Sequence, residues 1–395
     1  MEKIIVAEKK FLASFGEKQH ASAKNYISAK ELYKSVKNVS EIARTINHPG
    51  RTVHEWLVQE RAPRAIRALN YLKSIGLVPL RIENTRKFCF FTELVAFLFG
   101  DGSLMKDLGS FKLFGQEDDL KKIASEINEL YGIFTKLNYS ESGSEITKLR
   151  NGVIYKSQPK GGCWNLEVHS AQLSRLLYLA GAPLGDKVSS STKVPEWVML
   201  GDKELKRTFL SVLFGNELGC PVIRAKNAFV PAQFGLHKIE SKEADLIEFL
   251  NQVKLLLNEF GISTSPILLE KCRTVRKDGN LSRKVFFYID GKAPNILKLF
   301  KEIPFKYAEQ KQRKFSNAVE SFLKNSQNLE EEWKIYEKVI QMHDSGIGRR
   351  KIFKQLQLPK NYFYKINGWI HYGRKPLYYD GRNNFDCGAA EIPKL

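Results

Sequence analysis

Two stretches of the chain are near-copies of one another and constrain its fold more than any other feature. They are Leu94-Val95-Ala96-Phe97-Leu98-Phe99-Gly100-Asp101-Gly102 and Leu210-Ser211-Val212-Leu213-Phe214-Gly215-Asn216-Glu217-Leu218. Each is a run of apolar and small residues that ends abruptly in an acid. The pattern predicts two apolar helices, each tipped by a carboxylate. Such a tip is costly to bury unless it is paired or binds a metal. Two of these helices packed side by side would bring two carboxylates to one point, where divalent ions could bridge them.

The segment after each run is duplicated as well. Strand-like alternation comes first, over Ser110 to Phe114 in one half and Val222 to Phe234 in the other. A helix is predicted next, from Leu120 to Tyr131 and from Ala244 to Phe260. The two helices end in Tyr131-Gly132-Ile133 and Phe260-Gly261-Ile262, a glycine placed as a C-cap would be. Further strands come at Trp164 to Val168 and Val285 to Ile289, and each half closes with a helix, Gln172 to Leu179 and Ala293 to Phe300. Two α-β-β-α-β-β-α units in one chain make an α+β fold.

The flanks read differently. Val39 to Ile46 has apolar residues spaced for one face, Asn47-His48-Pro49-Gly50 is turn chemistry, and Arg51 to Leu57 is a second short helix. In that helix Val53, Trp56 and Leu57 are spaced for the core, which leaves Arg51, Thr52, His54 and Glu55 outward. The pattern resembles the helix-turn-helix modules of DNA-binding regulators, whose second helix enters the major groove. Trp56-Leu57-x-x-x-Arg61-x-Pro63 recurs as Trp369-Ile370-x-x-x-Arg374-x-Pro376, which suggests a second module near the C-terminus. Its candidate reading residues are Lys360, Asn361, Tyr364 and Lys365. The expected domains are therefore residues 1–83, 84–200, 201–325 and 326–395.

Charge agrees with a polyanionic partner. Lys and Arg number 63 against 43 Asp and Glu, a formal net charge of +20, and both ends of the chain are strongly basic. The five cysteines show no CxxC pair and the seven histidines no ligand spacing, which argues against a disulfide scaffold and a zinc site. No apolar run approaches membrane-span length. The expected setting is reduced and cytoplasmic, with no membrane partner.

The first acid-tipped run closely resembles the LAGLIDADG motif, with the Gly-Asp-Gly that opens a strand in that family of homing endonucleases. The order of elements over residues 84–325 agrees with a single-chain LAGLIDADG pseudo-dimer, a monomer that mimics two subunits. The resemblance implies cleavage of double-stranded DNA with Mg²⁺ or Mn²⁺, held by Asp101 and a second acid. Two registers compete for that acid. Matching Phe209-Leu210 to the opening of the motif selects Glu217, which we prefer, whereas matching Leu98-Phe99-Gly100-Asp101 to Leu213-Phe214-Gly215-Asn216 selects Asn216. Either way Leu218 stands where the family has glycine. The resemblance also implies a basic residue near the end of each half, here Lys187 and Lys311. It implies a concave sheet over the duplex, presenting Lys106, Lys112, Arg224, Lys226, Arg273, Arg276, Arg283 and Lys284.

Two other functions suit the same pattern. A DNA-binding transcription regulator could keep the saddle and lose the chemistry. An RNA maturase-like protein would share the fold, although A-form RNA hides the groove that helix-turn-helix modules read. No flanking splicing block with a Cys or Ser start and a His-Asn end is visible, which points away from an intein origin.

Overall fold

A computed structural model describes residues 4–141, 146–150, 153–157, 161–224 and 227–376, and the protein is a mixed α+β molecule. It divides into two compact units. One comprises Met1–Gly219, Gln233–Tyr288 and Glu302–Glu309, and the other Cys220–Ala232, Ile289–Lys301 and Gln310–Leu395.

At the centre of the first unit, the helices Arg86–Phe99 and Lys203–Glu217 pack against each other. Every residue from Phe90 to Gly100 is buried, as an all-round apolar run requires. Side chains cap both N-termini: Thr85 accepts from the Phe88 amide and Asp202 from the Leu205 amide. A short segment then stitches the pair together. The Lys306 amide donates to the Ser211 carbonyl, while its ammonium reaches Glu93 at 2.6 Å. The Tyr307 hydroxyl meets Glu93 at 2.7 Å and Glu126 at 3.0 Å. Burial raises the pKa of Glu93, and Lys306 and Tyr307 offset part of that rise. Burial, with Glu93 and Glu126 beside it, pushes the Tyr307 hydroxyl upward too.

Two larger antiparallel sheets accompany the helix pair. One has four strands in the order Gly102–Leu104, Phe111–Gly115, Cys163–Val168, Thr135–Ser140. The other has five, in the order Ala232–Ile239, Leu281–Ile289, Leu268–Val275, Ile146–Arg150, Val153–Ser157. Its last two strands form a hairpin that lies in the first half of the sequence yet pairs with a strand of the second half, with Lys148 opposite Thr274. The helices Glu117–Tyr131 and Glu243–Glu259 stop at left-handed glycines, Gly132 and Gly261.

The expected strand from Val222 to Phe234 is broken. Ile223–Arg224 and Ala228–Phe229 pair as a tiny hairpin, and the long strand begins at Ala232. Asn227 sits at a φ of 62°, which turns the chain, and Pro231 has no amide to donate to a ladder.

Near the N-terminus, Glu17–Ser35, Val39–Thr45 and Gly50–Leu57 enclose a core of Ala29, Ile42, Ala43, Val53, Trp56 and Leu57. His48 stacks on Trp56 at 4.7 Å, which holds the turn between the two short helices. The helix Glu309–Asp344, 36 residues long, belongs to the second unit from Gln310 onward and is followed by Arg349–Gln355 and Tyr362–Tyr372. Val339, Ile352, Ile366 and Trp369 form the core cluster of these three helices. Among the described residues no helix is long and apolar enough to cross a membrane.

Candidate functional site

The two acid-tipped helices meet at their C-terminal ends. A Cβ on Gly100 would lie 2.7 Å from the Cβ of Asn216, so the backbones approach there only because Gly100 has no side chain. A Cβ on Gly215 would lie 2.4 Å from the Lys306 carbonyl oxygen. Beneath the crossing, Phe99 stacks on Phe249 and meets Phe209 edge-on, both at 5.6 Å. Asp101, exposed, is the first residue beyond Gly100, and the partly buried Glu217 is the last of its helix.

Lys187 enters this point from the loop after the helix Ala171–Leu179. Its ammonium donates to the Gly100 carbonyl and lies in the field of both Glu217 and Asp101. Burial lowers its pKa, while the two carboxylates work in the opposite direction. Asp101, Glu217 and Lys187 therefore gather at one place. Of the two candidates for the second acid, Glu217 shares the field of Lys187, whereas Asn216 packs its side chain on Gly100.

The donor set suits a hard divalent cation. Asp101 and Glu217 both offer carboxylate oxygens there, and Mg²⁺ ordinarily takes one or two carboxylates and keeps several waters. No cluster of three or more His, Cys, Asp or Glu able to hold a metal occurs among the described residues. Any cation here would rest on the pair.

The remaining expected residues are scattered. Lys311 belongs to the second unit, where its carbonyl accepts from the Cys220 thiol at 3.5 Å. Burial pushes that thiol up, and the nearby Lys311 and Lys314 pull it down. On the strand Leu281–Ile289, Arg283 and Lys284 point to opposite sides, so the two cannot share one DNA-facing surface as expected from the sequence. Arg283 has the parity of buried Val285 and Phe287 and pairs with Glu243, at the start of the helix Glu243–Glu259. Arg273 stands opposite Arg283 and pairs with Glu240 at 2.9 Å. Lys284 lies on the other face and donates to Gln233 at 2.8 Å.

Arg276 is bound to Asp186 at 2.6 Å and Lys112 to Glu167 at 3.3 Å. Arg224 is exposed, and so is Lys106, which sits in the turn after Gly102–Leu104 rather than on a strand. Lys226 lies outside the described residues. In the N-terminal module Arg51 and His54 are exposed and Thr52 partly so; Arg51 pairs loosely with Glu55 at 3.3 Å. In the C-terminal one Lys360, Asn361 and Tyr364 are exposed, but Lys365 is held by Glu332 at 2.7 Å. Apart from Glu55, one turn along from Arg51, these carboxylate partners come from distant segments, which is why sequence reading missed them.

No family model matches the chain. By sequence it is similar to parts of three Methanocaldococcus jannaschii proteins. It is 30% identical over 201 residues to the tRNA-splicing ligase RtcB, and 31% identical over 294 residues to the DNA-directed RNA polymerase subunit Rpo1N. To the replication factor C small subunit it is 25% identical over 204 residues. The matches take in 50%, 74% and 51% of this chain, but only 20%, 20% and 10% of those proteins. The chain thus spans a fifth or less of these relatives. By structure it is similar to the homing endonuclease I-DmoI, including its complex with DNA and Ca, at 12% identity and a TM-score of 0.33. That likeness covers 56% of this chain and 91% of the other.

Proposed function

We propose that the chain is a LAGLIDADG pseudo-dimer of the homing endonuclease type, which binds double-stranded DNA and cleaves its phosphodiesters with a divalent metal. The observation that carries this reading is the meeting of Asp101, Glu217 and Lys187 at the ends of two packed helices. Asp101 and Glu217 would hold Mg²⁺ or Mn²⁺, which when bound supplies an activated water and charge neutralisation at the phosphate. Lys187 faces the same point, where an ammonium can balance charge on phosphate oxygens or orient the attacking water. Lys311 is a further candidate in the second unit. The module with Arg51, Thr52 and His54 and the one with Lys360, Asn361 and Tyr364 would supply helix-turn-helix contacts to the duplex.

The pattern of relatives supports the same reading. In a chain of 395 residues the matches to the ligase and to the polymerase subunit necessarily overlap. A segment shared by proteins of such different names, and a fifth or less of each, fits an inserted unit better than a part of either machinery. An endonuclease that cuts uninterrupted copies of a host gene would account for that spread.

The test is cleavage. The whole protein is incubated with Mg²⁺ or Mn²⁺ and DNA that includes its own genomic locus without the coding segment. Metal-dependent cuts that disappear in Asp101→Asn support the proposal. A wild type that binds the duplex but cuts nothing supports the regulator instead, the alternative that Leu218 in the place of glycine favours.

A further inference from the structure

Lys238 is one of the most deeply buried side chains in the molecule, 2% exposed on the strand Ala232–Ile239. Its ammonium donates to three neutral oxygens: the Lys187 carbonyl, the Ser190 carbonyl at 2.5 Å and the Thr192 hydroxyl at 2.5 Å. All three lie within six residues of one loop. The next amide on the strand, that of Ile239, donates to the Val188 carbonyl at 3.1 Å. The loop is tied elsewhere as well. The Gly185 amide donates to the Leu104 carbonyl, and Arg276 holds Asp186. Burying a charged ammonium among neutral acceptors is an expensive way to fasten a loop. It makes sense where the position of the fastened residue matters.

We propose that Lys238 is the positioning residue that fixes Lys187 at the Asp101–Glu217 pair. The proposal rests on the nuclease reading of that pair. Lys187 is gripped at both ends, with Lys238 on its carbonyl and the Gly100 carbonyl on its ammonium. A chain of two hydrogen bonds therefore runs from the five-stranded sheet to the meeting point of the acid-tipped helices. The groups that face Lys238 are Asp245 and Lys242 from the adjoining helical segment and Asp186 and Lys187 from the loop. None of these carboxylates appears among its hydrogen-bond acceptors, so its grip is directed at backbone and hydroxyl oxygens.

The experiment compares Lys238→Met, which removes all three donors, with Thr192→Val and Thr192→Ser, which remove and keep one acceptor. With the full chain, metal and duplex, Lys238→Met should lower the single-turnover cleavage rate at least tenfold and leave DNA affinity within twofold. Thr192→Val should show a smaller fall and Thr192→Ser the wild-type rate. A second readout needs no cleavage: the gain in melting temperature caused by Mg²⁺ alone. Lys187→Met removes the ammonium that compensates the acids, so its gain should exceed that of wild type. Lys238→Met should move the gain in the same direction, because Lys187 is released.

A purely structural role would lower the melting temperature without changing the rate or the gain, and that result overturns the proposal. If Lys238→Met does not fold, equal rates and gains for Thr192→Val and Thr192→Ser overturn it instead. A protein that shows these shifts in metal-linked gain yet cuts no DNA would retain the positioning role and lose the nuclease reading.

Discussion

Gly100 and Asn216 touch where the two acid-tipped helices end, and the touch leaves no room for a methyl group: a Cβ on Gly100 would stand 2.7 Å from that of Asn216. The pair fixes how closely the helices approach, and with it the separation of Asp101 and Glu217. Gly100→Ala is therefore expected to destabilise the protein by about 1–3 kcal/mol, the usual range for overpacking a tight core. Adding Asn216→Gly should recover much of the loss. A denaturant double-mutant cycle checks this, and strictly additive losses would show that the two residues do not define the crossing.

Divalent metal at the acid pair should raise the melting temperature, since any ligand of the native state does, by about 2.7 kcal/mol of stability at a hundredfold excess over Kd. Glu217→Gln should shrink that gain together with cleavage, and Asn216→Ala should do so far less. Thermal melts with and without Mg²⁺ measure it. The reverse pattern would move the second acid position to Asn216 and leave at most a nicking activity.

The N-terminal module calls for point changes. Its helix Arg64–Ser74 is joined to the rest of its unit by Tyr71, which donates to the Tyr131 carbonyl, and Arg175 stacks on Phe15 at 4.1 Å. Deleting the module would strip a buried surface. Arg51 is 92% exposed and its pairing with Glu55 contributes little to stability, so Arg51→Ala should leave the fold intact. If its helix reads base edges, discrimination at one position should fall by about 1–3 kcal/mol. If it meets only phosphate, binding should weaken on all sequences and the salt slope should drop by about 1. Fluorescence anisotropy across salt and site variants separates the two, and no change in either would remove Arg51 from the interface.

What could be seen in the sequence was whatever local periodicity and turn chemistry dictate. The apolar runs ending at Gly100 and Glu217 form helices that are buried almost all round, as their composition requires. Gly132 and Gly261 stop helices because they alone reach the left-handed region without strain. Trp56 and Trp369 are buried where their spacing puts them. The hairpin Ile146–Arg150 and Val153–Ser157 was invisible, since Val153–Ser157 is exposed along its whole length and so shows no in-out alternation, and Ile146–Arg150 finds its partner in Leu268–Val275, more than a hundred residues away. Lys238 was invisible for another reason. In a chain with 63 basic residues, burial alone distinguishes it, and burial belongs to the fold.

Tyr307 offers a test of the stitching between the helices. Its hydroxyl serves Glu93 and Glu126 together, and Glu93 is buried inside the first motif helix. Tyr307→Phe keeps the ring and removes that donor, leaving a buried carboxylate short of one partner. A loss of about 1–3 kcal/mol is expected, read from urea unfolding. A variant as stable as wild type would show that Lys306 alone suffices for Glu93.

Lys238 makes stability depend on pH with an unusual sign. Burial lowers its pKa to about 8, against the opposing pull of Asp245 and Asp186, whereas in the unfolded chain it returns to the ordinary lysine value of 10.5. Between those two values the unfolded state binds more protons than the folded one, so stability contributed by this residue rises with pH. Below pH 8 the charged ammonium is buried at a cost. Above it the proton leaves, and the cost fades as pH approaches 10.5. The full difference corresponds to about 3 kcal/mol. Relative to Lys238→Met, the wild type should therefore gain stability steadily from pH 8 to 10.5 and show a flat difference from pH 6 to 7.5. Urea midpoints of the two proteins across that range measure it. A difference that stays level through pH 10.5 would mean that Lys238 titrates as an ordinary lysine, and that its three oxygen acceptors hold the ammonium at no net cost.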